Sequence, residues 1–109
     1  MLFRSTTTTG ALTKTNSGTL NLSGINTYTG TTTISAGTLA ITGSGSLNSG
    51  SYAGSIVDNA TFIYSSSATQ TLSGVISGTG ALTKDTNTSS VLTLSNTNTY
   101  TGEIGRAHV

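Results

Sequence analysis

Only four side chains between residues 6 and 102 of this 109-residue chain are those of Lys, Arg, Asp, Glu or His, namely Lys14, Asp58, Lys84 and Asp85. Two carboxylates held at a defined separation could serve as general acid and general base, as they do in glycoside hydrolysis. Asp58 and Asp85 occupy non-equivalent positions of an internal repeat, so the sequence predicts no such pair. Both aspartates are expected in solvated turns, and no catalytic residue is predicted.

Other kinds of active site also lack their residues. Ser and Thr become nucleophiles only beside a general base, and the single histidine, His108, lies close to the C-terminus. The absence of cysteine excludes disulfides and Cys-based metal or redox sites. No aspartate recurs with the period that calcium-binding turns need. We therefore predict no metal, no cofactor and no enzymatic activity.

The composition is dominated by small polar residues, because Thr, Ser, Gly and Asn fill 64 of the 109 positions. Charged residues make up 6% and the formal net charge is +1, too little to neutralise a row of phosphates or to hold the chain on an anionic membrane. Nucleic acid is therefore not an expected partner. The apolar residues alternate with polar ones between Gly-marked turns, which favours strands over disorder.

Both ends differ in amino-acid composition from the residues between them. Residues 1–5 (MLFRS) and 103–109 (EIGRAHV) hold four of the eight Lys, Arg, Asp, Glu and His side chains. Both segments resemble translated high-throughput sequencing adapter, read in frame at one end and as its reverse complement at the other. We predict that they are non-native tails around an internal fragment, residues 6–102. The missing signal peptide then says nothing about the cellular compartment.

An internal repeat organises this fragment, because three blocks recur in the same order and at a nearly constant offset along the chain. Such ordered recurrence is the signature of a repeat architecture. The recurring pairs are 10–14 and 80–84 (both GALTK), 20–23 (LNLS) and 92–95 (LTLS), and 26–30 and 98–102 (both NTYTG).

Short strands are predicted wherever Leu, Ile or Val alternates with polar residues, the period-2 pattern of a half-buried strand. Helix is disfavoured because Thr, Ser, Asn and Gly are poor helix formers. The strongest segments are 19–23, 38–42 and 91–95, and the weaker ones are 32–35, 55–57, 60–64, 70–73 and 81–84.

Two architectures accept many short strands between Gly turns, an antiparallel sandwich or a solenoid. The repetition favours a solenoid with about 20 residues in each coil. In such a solenoid we expect Leu20 and Leu22 to lie in an interior column that Leu92 and Leu94 extend.

Residues 71–102 contain the segments TLSGVISGTGALTK, LTLS and NTYTG in this order. This stretch resembles the autotransporter-associated β-strand repeat, also called the passenger-associated transport repeat. Residues 10–42 resemble a second copy. The resemblance implies an all-β, right-handed parallel β-helix (β-solenoid) in the passenger of a Gram-negative type V secretion autotransporter. It also implies a structural stalk that supports passenger folding, export and adhesin display at the cell surface. One departure is Glu103, where the family pattern continues with a second glycine after Gly102.

The resemblance also implies the partners. Neighbouring coils of the same parent chain are expected to pack against this segment. Host-surface or matrix glycans or proteins would bind through the parent protein. The membrane would be reached only through a C-terminal barrel outside this sequence. An alternative is a Thr-rich binding face, in which threonines 6–9 and 31–33 form an outward array that contacts carbohydrate or ice. Ser, Asn, Ala and Gly interrupt those rows.

Two residue pairs at equivalent repeat positions complete the predictions. Tyr28 and Tyr100 could stack on sugars, but their recurrence after Asn-Thr favours a packing and turn role. Lys14 and Lys84 are expected to be exposed strand ends that discourage aggregation, and the alternative is a displayed charge pair.

Overall fold

The computed structural model of the chain describes residues 10–84, 90–96 and 98–99, together with the backbone of residues 104–105. Its strands are two to four residues long, and the described helical structure is a short 3-10 turn, η1 (Asn48–Gly50). The strands are β1 (Leu12–Lys14), β2 (Thr19–Leu22), β3 (Ile25–Asn26), β4 (Thr32–Ile34), β5 (Thr38–Ile41), β6 (Ser46–Leu47), β7 (Ser51–Tyr52), β8 (Ile56–Asp58), β9 (Thr61–Tyr64), β10 (Gln70–Leu72), β11 (Ile76–Ser77), β12 (Ala81–Lys84), β13 (Leu92–Leu94) and β14 (Ile104–Gly105).

These strands form three faces, and every pairing among the described strands is parallel. Face one contains β1, β4, β8 and β11, and face two contains β2, β5, β9, β12 and β14. Face three is split into the pair β3 and β6 and the trio β7, β10 and β13. Because the chain visits the faces in turn and then returns to the first, it winds as a β-solenoid of about four turns. The predicted solenoid is confirmed, and the antiparallel sandwich is excluded.

The strand register shows that the coils differ in length. On face one, Leu12 pairs with Thr32, Thr32 with Ile56, and Ile56 with Ile76, so the middle coil is longer than the coils on either side of it. The longer coil contains η1, where Asn48 has a φ of 46° and Ser49 a φ of 54°. Residues 43–70, which match neither predicted repeat copy, therefore complete this coil and form much of the next.

The interior consists of columns of inward side chains, one from each coil. Alternation along each strand turns every second side chain inward, and the parallel register then stacks it on its equivalent in the next coil. On face two, one column contains Leu20, Leu39, Phe62 and Leu82, and the other contains Leu22, Ile41, Tyr64 and Lys84.

Two corners between faces one and two require glycine. Gly37 has a φ of 74° and Gly78 a φ of 108°, backbone conformations that other residues rarely adopt. A Cβ atom at Gly37 would lie 2.6 Å from the Lys14 Nζ, and one at Gly78 would lie 2.7 Å from the Asn59 Oδ1. The turn role predicted for these two glycines is confirmed.

A side chain joins the two halves of face three. The Gln70 Oε1 accepts a hydrogen bond from the Leu47 backbone N–H at 2.8 Å, and the Gln70 Nε2 donates to the Leu47 carbonyl at 3.0 Å. The side-chain amide thus takes the place of a peptide group in the ladder and satisfies the backbone of β6. The chain can therefore enter η1 without leaving these two groups unpaired.

All eight strands predicted from alternation are present, but one interior contact is wrong. Leu20 and Leu22 belong to β2, which pairs with β5 on face two. Leu92 and Leu94 belong to β13, which pairs with β10 on face three. The offset between these two blocks is not a whole number of coils, so the two leucine pairs lie in different columns.

Among the described residues, no helix is long and apolar enough to cross a membrane. Of the two predicted tails, residues 1–5 and 103–109, the structure describes only the backbone of 104–105, where Ile104 pairs with Leu82. Their non-native origin stays a prediction.

The alternation on β9 can be tested with two neighbouring residues. Phe62 is 0% exposed, whereas Ile63 points outward and is half-buried. We expect Phe62→Ala to lower the free energy of unfolding by about 3–5 kcal/mol, and Ile63→Ala to lower it by about 1 kcal/mol or less. Urea unfolding followed by circular dichroism measures both. Equal losses in the two variants would contradict the assigned inward and outward faces.

Candidate functional site

The outward row on face one is not a regular threonine array. Thr13, Thr33, Val57 and Ser77 follow one another in register on adjacent coils. An array that binds a flat surface would need threonine at the same positions in every coil. Val57 and Ser77 interrupt the row; interruption by serine was predicted from the sequence, and interruption by valine was not.

A more continuous row lies on face two, where Thr19 pairs with Thr38 and Thr38 with Thr61. The three threonines are exposed or half-buried, and Ala81 ends the row on the next coil. Sequence reasoning missed this row because the interval between its threonines lengthens where the longer coil intervenes. The available signal was the position of each threonine immediately before an inward Leu or Phe.

Thr32 does not belong to the surface, in contrast to the array predicted over threonines 31–33. It is 0% exposed, and its Oγ1 lies 3.0 Å from the Tyr28 hydroxyl and 2.8 Å from the Tyr52 hydroxyl. The two tyrosine rings contact edge to face, with centroids 5.6 Å apart and planes at 71°. The packing role predicted for Tyr28 is confirmed. Tyr100 and threonines 6–9 lie outside the described residues.

Burial raises the pKa of the Tyr28 hydroxyl well above its usual range, although the hydrogen bond to Thr32 opposes the shift. The pKa of Tyr52 is also raised by burial, again against its hydrogen bonds with Thr32. Both phenols are therefore neutral at physiological pH. They close the corner between faces three and one and are not available to stack on a sugar.

Lys14 and Lys84 are buried, so the prediction of exposed strand ends is wrong, and so is the displayed charge pair. Lys14 is 6% exposed and Lys84 is 0% exposed. Each lysine stands two residues after an inward leucine on the same strand, and alternation therefore turns it inward as well. The flexible stem can fill interior space while the ammonium group reaches oxygen atoms at the corner.

Backbone and amide oxygens surround the Lys14 ammonium group. The Nζ donates to the Asn16 carbonyl, to the Asn16 Oδ1 at 3.0 Å and to the Ala36 carbonyl at 3.4 Å. These acceptors lie on two successive coils, so the lysine links them at the corner between faces one and two. An ammonium group has three donors, and these contacts satisfy them.

The Lys84 ammonium group lies at a different corner, between faces two and three. Its Nζ donates to the Ser90 Oγ at 3.1 Å and lies 5.9 Å from the centroid of the Tyr64 ring, within cation–π distance. The Ser90 Oγ in turn donates to the Ser66 carbonyl at 2.8 Å. Both side chains are fully buried, and the Ser90 hydroxyl joins Lys84 to the backbone of the neighbouring coil. This Ser–Lys contact therefore has a structural role.

Asp58 is buried as well, which corrects the prediction of a solvated turn. It is 1% exposed, because it follows Ile56 by two residues and points inward on β8. Its Oδ1 accepts a hydrogen bond from the Ala60 backbone N–H at 3.1 Å. Burial raises the pKa of the carboxyl, and the Ala60 hydrogen bond partly opposes the shift. Asp85, the other predicted turn aspartate, lies outside the described residues.

The described part of the chain contains no group of three or more His, Cys, Asp or Glu side chains that could hold a metal ion. Its buried side-chain nitrogen and oxygen atoms all have hydrogen-bond partners. The ionisable groups of this interior are therefore bonded to the polypeptide itself.

Comparison with known proteins identifies the repeat. Residues 12–41 and 89–104 match the family described as the passenger-associated-transport-repeat. Two segments of the chain are thus similar to the passenger-associated-transport-repeat. The first match of this repeat covers β1 to β5, and the second includes β13. The resemblance predicted from the sequence is confirmed.

A curated relative contains a similar segment. The adhesin BmaC autotransporter of Brucella suis biovar 1 (strain 1330) is 53% identical over 58 residues, which are 53% of this chain and 2% of that protein. The chain thus spans a very small part of the relative that it matches. No solved structure gives a significant match.

The burial of Asp58 predicts an unusual dependence of stability on pH. Its folded-state pKa is raised above the ordinary value of 3.8, so the folded state binds the proton more tightly than the unfolded state. The stabilising contribution of this proton is complete below the ordinary pKa and is lost as the pH rises through the folded-state pKa. Asp58→Asn keeps the acceptor for Ala60 and removes the titration. We expect the variant to be more stable than the native chain at neutral pH, with the difference shrinking or reversing in acid.

Urea unfolding of both proteins at several pH values from about 3 to about 7 checks this expectation. Asn59→Ala, at the exposed neighbouring position, serves as the control. A constant difference between Asp58→Asn and the native chain across this range would show that Asp58 does not titrate in the folded state.

The burial of both lysines predicts slow acylation. Lys14 and Lys84 are the only lysines of the chain, and we expect an amine-reactive ester to modify each at least about tenfold more slowly in the folded protein than in urea, because reaction requires opening of the coil. Thr13→Lys adds an amine at the exposed neighbouring position and should react rapidly. Peptide mass spectrometry locates the modified amines. Folded-state labelling of Lys14 or Lys84 as fast as that of the added amine would contradict their burial.

Proposed function

We propose that this chain is a stalk segment in the passenger of an autotransporter adhesin at the surface of a Gram-negative cell, and that it has no enzymatic activity. The observation that carries the proposal is the coincidence of the passenger-associated-transport-repeat with coils that are parallel throughout the described residues. The similarity to a segment of an adhesin autotransporter supports the same role. Folding, export and display of the passenger are the proposed tasks.

The architecture suits a stalk because each coil is a template for the next one. In a parallel solenoid the contacts are made between neighbouring coils, so length is added by repetition, at about 4.8 Å per coil. The outward rows carry Thr, Ser, Val and Ala rather than charge, so they impose no like-charge repulsion between stacked coils. Neighbouring coils of the parent chain are thus the main proposed partners.

The same features support a role in export. A chain that emerges from a pore can add one coil at a time, since each new strand pairs with a strand that is already in place. Buried polar side chains such as Gln70 and Lys14 bond to adjacent coils and would favour the correct register during this addition. In this proposal, binding of host-surface or matrix glycans or proteins belongs to other parts of the parent protein.

A second candidate function is carbohydrate binding by the outward row of Thr19, Thr38 and Thr61 on face two. The row is short but in register over three coils, and its hydroxyl groups could bond to the hydroxyls of a sugar. Glycan-array binding of the full chain that is lost in Thr38→Val and retained in Thr33→Val would favour this function over the stalk. Ice binding is less well supported because Val57 interrupts the row on face one.

Replacement of distal passenger coils in an autotransporter tests the stalk proposal. The full chain, with an N-terminal epitope tag, would take the place of these coils. We expect the tag to reach the cell surface in the native chain and in Ile63→Asp, whereas Phe62→Asp reduces surface display several-fold, because a carboxylate enters the core. Antibody binding to intact cells measures display, and protease resistance of the segment reports its folding. Failure of the native chain to reach the surface, or equal display of all three chains, would argue against the proposal.

A further inference from the structure

The two copies of the GALTK block lie on different faces of the solenoid. In the first copy, Leu12 and Lys14 are part of β1 on face one, and in the second copy Leu82 and Lys84 are part of β12 on face two. The peptides are identical, so the difference arises from the length of chain that separates them. Equivalence in sequence is thus not equivalence of position around the rod.

The other two repeated blocks move by one face in the same direction. The leucine block is part of β2 on face two in the first copy and of β13 on face three in the second. The third block begins at Asn26 in β3 on face three. Of its second copy, the described residues Asn98 and Thr99 lie beside face one, where the Asn98 Oδ1 accepts from the Ile76 N–H at 2.8 Å and the Thr99 N–H donates to the Ile76 carbonyl at 2.9 Å.

The coil lengths explain this regular shift. Starting at Leu12, three coils along face one lead to Ile76, and the chain then passes one corner to reach Leu82 on face two. The interval between the two GALTK copies therefore contains three coils and one additional face. An interval of three whole coils would have kept both copies on one face.

The shift preserves the direction in which each side chain points. Leu12 and Leu82 are both buried, as are Lys14 and Lys84, although the lysines bond to different groups at different corners. The outward residue between them is Thr13 in one copy and Thr83 in the other. The same GALTK segment therefore fits face one and face two with the same alternation of inward and outward side chains.

We propose that passenger-associated-transport-repeats separated by this interval of three coils and one face, when they follow one another in the parent chain, rotate by one face per repeat and so present the same outward surface on all three sides of the stalk in turn. Three repeats would complete the rotation after about ten coils, or roughly 50 Å at about 4.8 Å per coil. Positions such as Thr13 and Thr83 would form a screw-like stripe rather than a straight row.

The rotation of the repeats around the rod does not depend on the proposed stalk function. Its consequence for binding partners rests on that function. A straight row of identical sites fits a flat partner such as a crystal lattice. A screw arrangement offers the sites to a flexible polymer that wraps the rod, or to several molecules that approach from different sides. The screw arrangement thus favours a flexible polymer or several separate molecules over a flat surface as the kind of partner that repeated outward residues could bind multivalently.

Pairs of cysteines can establish the rotation in the full chain, which contains no native cysteine. Thr83 lies in register with Ile63 on the adjacent coil of face two. If both GALTK copies lay on one face, Thr83 would instead continue the row of Thr13, Thr33 and Val57. We would therefore treat the variants Ile63→Cys/Thr83→Cys and Val57→Cys/Thr83→Cys with a short bis-methanethiosulfonate at low protein concentration. Thr13→Cys/Thr33→Cys, in register on face one, is the control for folding.

We expect intramolecular cross-linking of the 63/83 pair at a rate similar to that of the control pair and at least about tenfold faster than that of the 57/83 pair, because only strands in register bring the Cβ atoms to about 5 Å. Faster cross-linking of the 57/83 pair, or no reaction of the 63/83 pair while the control reacts, would overturn the proposal. The measurement reports only which face each repeat copy occupies. A result against the rotation is therefore distinguishable from a failure of surface display, which would argue against the stalk itself.

Discussion

The structure depends on the parallel, in-register ladder between successive coils. This ladder pairs backbone groups across faces one and two, and it also stacks each inward side chain on its equivalent in the next coil. A shift of one residue would turn every inward side chain outward. Burial of side chains such as Leu22, Ile41 and Phe62 therefore fixes the register, and the register in turn fixes which hydroxyl groups reach the surface.

The polar interior follows from the same constraint. Strict alternation places Lys14, Lys84 and Asp58 inside because each stands two residues from an inward apolar side chain. Burial of such groups is unfavourable unless hydrogen bonds replace the lost water. The corners supply those bonds through carbonyls, serine hydroxyls and the Ala60 N–H. Ionisable residues that would indicate chemistry on another fold here bond to the corners of the rod, and Lys14 also reaches the next coil.

The surface of the rod is determined by coil length as much as by sequence. The longer coil, which contains η1, brings Thr38 and Thr61 into one row on face two. The repeat copies do not place these two threonines at equivalent positions. The same coil lengths move each repeated block by one face. An elongated scaffold whose repeats rotate in this way would not have one privileged side, which suits a stalk that must be approachable from any direction.

The sequence by itself determined the β-solenoid, the eight strands marked by alternation, the inward position of Leu22 and Leu92 and the packing role of Tyr28. These are properties of neighbouring residues and of recurring blocks, and both can be counted along the chain. It did not determine that Lys14, Lys84 and Asp58 are buried, since charge favours solvent unless a specific set of oxygen atoms or N–H groups is present. Nor did it place Leu92 on face three, reveal Gln70 as the link between β6 and β10, or align the threonines of face two. These features depend on how many residues each coil contains, and only the pairing of distant strands in the tertiary structure decides that number.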